Sequence, residues 1–187
     1  MIQTDKPDFR EDLSKSVEML RNGGYISVRT DCGSIIACDA SNATLVGALI
    51  EANKEGKYDQ LLLFASLPRL QSVTDELPDI VWELTEVSDK PLIIVPDGYR
   101  NLPDVLNKNT GFRISNWPFS NYLCDRFRQP LFCLEENRHK FRATDFDFLH
   151  KDNLYQVKFN KDKNPLYIPS VMQIGKGGTF KILRNEK

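Results

Sequence analysis

Residues 23–40 read GGYISVRTDCGSIIACDA, and in them the hydroxyl of Thr30 and the carboxylate of Asp31 stand between two short apolar runs. Small polar groups at a strand end are what a ligand cleft requires, because the rigid strand positions them and the loop exposes them. The same residues also suit a hairpin with a polar tip, which is the commoner meaning of such a stretch. Arg113 stands mid-run in GFRIS, and Lys54 closes the second helical stretch. Arginine offers a guanidinium fork to carboxylate or phosphate and lysine a point charge. Lys54 at a helix C-terminus is also what the helix dipole favours, whereas Arg113 between apolar neighbours requires a buried partner. Asn137 could simply end a strand, and Ser170 could cap a turn after Pro169.

Other chemistries find no support. No Ser-His-Asp arrangement is visible, and residues 175–178, GKGG, lack the spacing of a nucleotide-binding P-loop. Cys32, Cys38, Cys124 and Cys133 form no Cys-x-x-Cys pair, with only His139 and His150 to join them. No metal site is expected, and reduced thiols of a cytoplasmic protein are.

The elements that must position these residues follow from pattern. Residues 8–22 predict a helix: Asp8 and Glu11 make a capping box, Leu13, Val17 and Leu20 form one face, and Gly23 suits the C′ position. Strands are expected at 25–30 and 34–38, then a helix capped by Ser41 or Asn42, running to Lys54 and stopped by Gly56. Apolar runs at 61–65 and 91–95 read as strands covered on both faces. Further strands are expected at 111–115 and 131–134, helices at 66–73, 78–86 and 122–127, and a short helical turn at 103–106. Residues 137–151 read as loop plus a short helix, and 170–174 with 179–183 as a hairpin. Helices interleaved with short strands give a mixed sheet with helices on its faces.

A chain of 187 residues suits one domain, 1–187, and 41% apolar content argues against disorder. A net charge of −1 excludes a global pull toward nucleic acid, so an RNA site would be a local patch. The polar N-terminus is not expected to be a secretory signal, and no apolar run approaches the about 20 residues of a membrane span.

The stretch 23–40 resembles the signature of the YrdC-type family, the threonylcarbamoyl-AMP synthases and their relatives. That family runs from Gly-Gly through a strand into Pro-Thr-Asp-Thr-x-Tyr-Gly and a Cys-Asp-Ala-like end. Gly23, Gly24, Thr30, Asp31, Cys38, Asp39 and Ala40 fit; Arg29, Cys32, Ser34 and Ile35 stand where the family has Pro, Thr, an aromatic and Gly. The likeness continues through Lys54, Arg113, the PLFCLEEN strand with Asn137, IPSVMQI with Pro169 and Ser170, and Arg184. The resemblance implies an α+β, three-layer fold: a strongly twisted mixed sheet of about seven strands, helices on both faces and an open cleft. It also implies a reaction, in which L-threonine, bicarbonate and ATP, with Mg2+, are joined into threonylcarbamoyl-AMP for modification of tRNA adenosine-37. By that likeness Lys54 and Arg113 are the catalytic cations, and Thr30, Asn137, Ser170 and Arg184 bind substrate. All are expected in one cleft of a monomer or homodimer.

Two departures point to weak or altered activity. Gly56 replaces an arginine, and Glu135 stands where the family has a hydroxyl; Lys57 is the nearest substitute cation. Each lost charge-assisted contact to phosphate is worth roughly 1.5–3 kcal/mol. The alternative is a non-catalytic module for nucleotide, tRNA or double-stranded RNA, the last also linked to the family. Its support is Arg126, Arg128, Arg138, Lys140 and Arg142, interleaved with Phe127 and Phe141.

Overall fold

Apolar runs on both faces of the central strands fix the layout: LLLF in 61–64 and LFCL in 131–134 can be covered only by helices on two sides. The computed structural model describes residues 9–75, 77–107, 109–159 and 167–185. The elements are α1 (Arg10–Arg21), β1 (Tyr25–Arg29), β2 (Ser34–Asp39), α2 (Ala43–Ala52), β3 (Asp59–Phe64), α3 (Leu67–Leu70) and α4 (Asp79–Val87). They continue with β4 (Leu92–Val95), β5 (Gly111–Ile114), α5 (Pro118–Phe127), β6 (Leu131–Glu135), β7 (Leu154–Gln156), β8 (Ser170–Ile174) and β9 (Phe180–Arg184). One sheet joins the strands in the order β7-β1-β2-β6-β3-β5-β4-β8-β9. It is mixed: β1/β7, β3/β5 and β4/β8 are parallel, and the other pairs antiparallel.

The first face carries Ile26, Val28, Ile35, Leu61, Leu63, Leu131 and Cys133 against α1 and α5, through Leu13, Val17, Leu20, Phe119 and Leu123. The second carries Ile36, Cys38, Leu62, Phe64, Phe112, Phe132 and Leu134 against α2, α3 and α4, through Val46, Leu49, Leu70 and Val81. Fully burying one such side chain is worth about 1.5–3 kcal/mol, so these layers, rather than helix propensity, hold the sheet together. Among the described residues no helix is long and apolar enough to cross a membrane.

Local chemistry sets the ends. Gly23 takes φ 75° after α1, with Gly23 N–H donating to the Leu20 carbonyl at 3.1 Å and Gly24 N–H to that of Met19 at 2.9 Å. Of the two candidate caps for α2, Asn42 is the one used, its Oδ1 accepting from Leu45 N–H at 3.2 Å. Asn53 then turns its amide to the backbone of Tyr58, at 2.9 and 3.0 Å. That local bonding competes with the helix, so α2 stops at Ala52, short of Lys54.

Several expectations need correction. The first helix has Phe9 at its N-cap without a side-chain cap; Asp8 lies outside the described residues. Pro118 at the first turn starts α5 earlier than expected, since proline suits N1. The helix expected at 66–73 is only Leu67–Leu70. Among the described residues the sheet has nine strands, not about seven, and β7, placed by its pairing with β1, falls in a stretch to which the sequence pattern assigns no element.

Candidate functional site

The turn after β1 is built by Thr30. Its N–H donates to the Gly33 carbonyl at 2.7 Å, and its Oγ1 accepts from Cys32 N–H at 3.1 Å. The same hydroxyl lies 3.0 Å from the Gly33 carbonyl and 3.1 Å from Glu135 Oε1. Thr30 is therefore buried rather than displayed at a tip. Asp31 beside it is partly covered.

Arg113 is the centre of the site. It lies on β5 beside Leu63 of β3, and its alternation with Phe112 turns it toward the first face. Nη2 donates to Glu135 Oε1 at 2.6 Å and Nη1 to Asp31 Oδ1 at 3.1 Å. The Arg113 side chain is 1% exposed and that of Glu135 0%. Among the described residues, Arg113 Nε and Glu135 Oε2 have no hydrogen-bond partner. Burial works against the charge on Arg113, but the Glu135 and Asp31 carboxylates outweigh it and keep the guanidinium protonated. Burial lifts the Glu135 carboxyl above its ordinary range even though Arg113 pulls it down. Burial also pushes up the Cys32 thiol beside this pair, which disfavours its thiolate form.

A second ion pair adjoins the first. Asp59 is the register partner of Glu135 across β3 and β6. Its Oδ1 accepts from Arg184 Nη1 at 2.9 Å and Asn137 Nδ2 at 3.1 Å, and its Oδ2 from Arg184 Nη2 at 2.6 Å. In a flat sheet β3 and β9, four strands apart, would be separated by about 19 Å; this bidentate contact requires the sheet to curl, making the first face concave. Arg184 Nε also donates to the Pro169 carbonyl at 3.0 Å, and Tyr167 N–H to the Asp31 carbonyl at 2.9 Å. Residues 167–169 are thus pinned across this concavity.

Thr30, Arg113, Asn137 and Arg184, far apart in sequence, meet here through Glu135 and Asp59. Lys54 and Ser170 stand apart from this cluster. Lys54 follows α2, which packs on the second face; it is mostly exposed and pairs with Glu51 at 3.2 Å. It lines a separate groove of about 490 Å³ with Lys57, Asp145 and Phe148. Ser170 is in register with Leu92 and alternates with Met172 and Ile174, which places it on the second face. Lys57 is held by Glu55 at 2.7 Å and Asp145 at 3.7 Å, so it does not stand in for the missing arginine.

The basic run divides. Arg126 and Arg128 lie at the end of α5 before β6, whereas Arg138, Lys140 and Arg142 follow its far end. The interleaved aromatics are not base-stacking platforms: Phe127 is buried, and Phe141 packs edge-on against Tyr58 at 4.8 Å and Phe146 at 5.3 Å.

Sequence reasoning missed Asp59 and the pairing role of Asp31. The only signal was the need of Arg113 for a partner; which carboxylate answers it depends on strand register. It also missed Glu136, whose Oε1 accepts from Phe141 N–H at 2.9 Å and Oε2 from Ser34 N–H at 3.1 Å.

Residues 18–147 match the Sua5/YciO/YrdC family, described as "Telomere recombination". No curated protein matches the chain. The structure of E. coli YciO is similar over 97% of this chain and 91% of its own, at 17% identity and a TM-score of 0.67. A variant of P. abyssi Sua5 aligns with 96% of this chain at 12% identity and a TM-score of 0.70. P. abyssi Sua5 complexed with L-threonine aligns with 88% at 13% identity and a TM-score of 0.64. The chain spans about half the length of these Sua5 proteins, 54% and 51%. At these identities the likeness establishes the fold.

Proposed function

The chain belongs to the Sua5/YciO/YrdC family, and from that premise we propose a diverged relative of the threonylcarbamoyl-AMP synthases with weak turnover of L-threonine, bicarbonate and ATP. One observation carries the reading: the arginine that resemblance assigns to an anionic substrate, Arg113, is sealed between Glu135 and Asp31. An incoming carboxylate or phosphate must displace those partners. The cluster sets three carboxylates, of Asp31, Asp59 and Glu135, against two guanidiniums, of Arg113 and Arg184. Three negative and two positive charges leave one net negative charge when all are ionised, which disfavours a polyphosphate. The magnesium ion that accompanies ATP would find oxygen donors here, but guanidiniums already hold all three side chains, so the set does not fit a metal as it stands.

What remains suits a small ligand better than a nucleotide triphosphate. The L-threonine complex of P. abyssi Sua5 supports an amino-acid ligand in this fold. The test is calorimetry of ATP with magnesium and threonine, paired with an assay of pyrophosphate release. Wild type should bind ATP weakly and release little pyrophosphate. Glu135→Ser, by freeing Arg113, should tighten ATP binding about tenfold, the value of one charge-assisted contact. Gly56→Arg should add little, because its neighbours Lys54 and Lys57 line a separate groove. Rapid pyrophosphate release by wild type, or unchanged ATP affinity in a folded Glu135→Ser variant, overturns the reading.

A further inference from the structure

We propose that a small cavity at the C-terminal end of β3 is a binding site for a single phosphoryl group. The cavity holds about 60 Å³ and is lined by Arg69, Ser72, Cys124, Arg128, Gln129 and Pro130 over a floor of Leu63 and Phe64. Its floor residue Leu63 is the register partner of Arg113, but none of the residues that line it belongs to the ion-pair cluster.

Charge argues first. Arg69 from the α3 segment and Arg128 from the end of α5 line the same small volume. Both are exposed, and among the described residues neither side chain forms an ion pair, in contrast to Arg113 and Arg184. The carboxylates near this end are Asp125 on α5 and Asp39, whose strand end lies by Pro130 through Ala40 N–H to the Pro130 carbonyl at 3.0 Å. Asp39 is engaged by Ser41, whose N–H and hydroxyl donate to it at 2.8 and 2.7 Å. Two arginines lining one small pocket can supply the guanidiniums that tetrahedral oxyanion recognition uses.

Backbone geometry argues second. Arg128 is the residue after α5 and adopts φ 65°. Glycine or asparagine normally takes that left-handed position, and a longer side chain there costs roughly 1 kcal/mol. The negative end of the α5 dipole favours a cation there and offsets part of that cost. It also opposes an anion, so affinity must come from the two guanidiniums with the Gln129 amide; the Ser72 hydroxyl already donates to the Arg69 carbonyl at 2.9 Å.

Size selects the ligand. A water needs roughly 10–15 Å³ by the same measure, so the cavity takes about four waters, the bulk of one phosphoryl group and not of a nucleoside. A free phosphorylated metabolite and the backbone of RNA both present that group.

The experiment follows the arginine Nε–H resonances by NMR while inorganic phosphate is added to the full chain. Arg69 and Arg128 should shift together along one saturable, millimolar curve. Arg69→Gln and Arg128→Gly should each weaken binding about tenfold or more. Both variants should fold: Arg69 is exposed, and glycine relieves the backbone at 128. Immobile Arg69 and Arg128, movement confined to Arg184 or Arg113, or variants that bind as wild type overturns the site. A second arm uses short single-stranded RNA. Shifts of the same resonances at lower concentration, weakening steeply with salt, identify RNA backbone as the source; saturation by phosphate alone identifies a free phosphorylated compound. The outcome is independent of ATP turnover at the cleft.

Discussion

Two adjacent glutamates, the last residue of β6 and the one that follows it, are put to opposite uses. Glu135 faces the concave side, is completely buried, and shares Oε1 between Arg113 and Thr30 while Oε2 has no partner among the described residues. Glu136 turns the other way and has both oxygens in use, taken by the N–H groups of Ser34 and Phe141 and by the Lys140 ammonium at 3.3 Å. Burial raises the pKa of Glu135, whereas for Glu136 burial is outweighed by the two backbone N–H groups and Lys140, and its pKa falls. A carboxylate fed by fixed backbone dipoles is a staple; one sealed against a guanidinium is half of a charge pair that occupies a cleft. Glu136 joins the loop after β6 to the turn after β1, so it holds in place the walls of the site that Glu135 fills.

The largest effect should come from splitting the sealed pair. Arg113→Ala leaves Glu135 buried without its main counter-charge and should lower unfolding free energy by about 3–5 kcal/mol, read by urea denaturation. The loss should be smaller at mildly acidic pH, where Glu135 can take a proton instead of standing charged. A loss below about 1 kcal/mol, in the range of an exposed ion pair, would mean the pair is solvated and the cleft open.

The pH dependence should separate the two glutamates by sign. The folded chain holds the Glu135 proton more tightly than the unfolded chain, so its contribution to stability falls as pH rises through and above the ordinary carboxylate range. Glu136 has the reverse shift: its contribution is present above that range and is lost as pH falls through its lowered value. The deficit of Glu135→Gln against wild type should therefore shrink with rising pH, and that of Glu136→Gln with falling pH. Near neutrality the Glu136→Gln deficit should be about 1–3 kcal/mol, because a backbone N–H is left short of an acceptor. Parallel pH profiles for the two variants would erase the contrast.

The parts of this architecture readable in advance are those that short stretches encode. The 3–4 spacing of Leu13, Val17 and Leu20, the continuous run at Leu61–Leu63 and the glycine after α1 each carry their own physical reason. Arg113 declared itself as a cation needing a partner. The identity of that partner was not readable, because Glu135 is 22 residues away and Asp31 82, both brought in by strand pairing. The Asp59–Arg184 pair spans 125 residues and exists only because the sheet curls. Placing Lys54 in the cleft failed for a local reason: the Asn53–Tyr58 hydrogen bonds end α2 on the second face. β7 has three residues in a polar context and is a strand by virtue of its partner β1.

The smallest effect sharpens what makes Glu136 a staple. Its shift has two kinds of donor, the N–H groups of Ser34 and Phe141 and the ammonium of Lys140. The N–H groups are fixed by the backbone and shielded; the Lys140 side chain is 61% exposed, so water and salt screen its charge and its ordering costs entropy. An exposed i,i+4 pair of this kind contributes about 0.3–0.5 kcal/mol. Lys140→Ala should accordingly change unfolding free energy by no more than about 0.5 kcal/mol, and added salt should remove most of that difference. The acid limb that Glu136 generates should persist in the variant, because its backbone donors remain. Loss of that limb on replacing Lys140 would make the lysine, not the backbone, the partner that matters, and Glu136 would then be an ordinary surface ion pair.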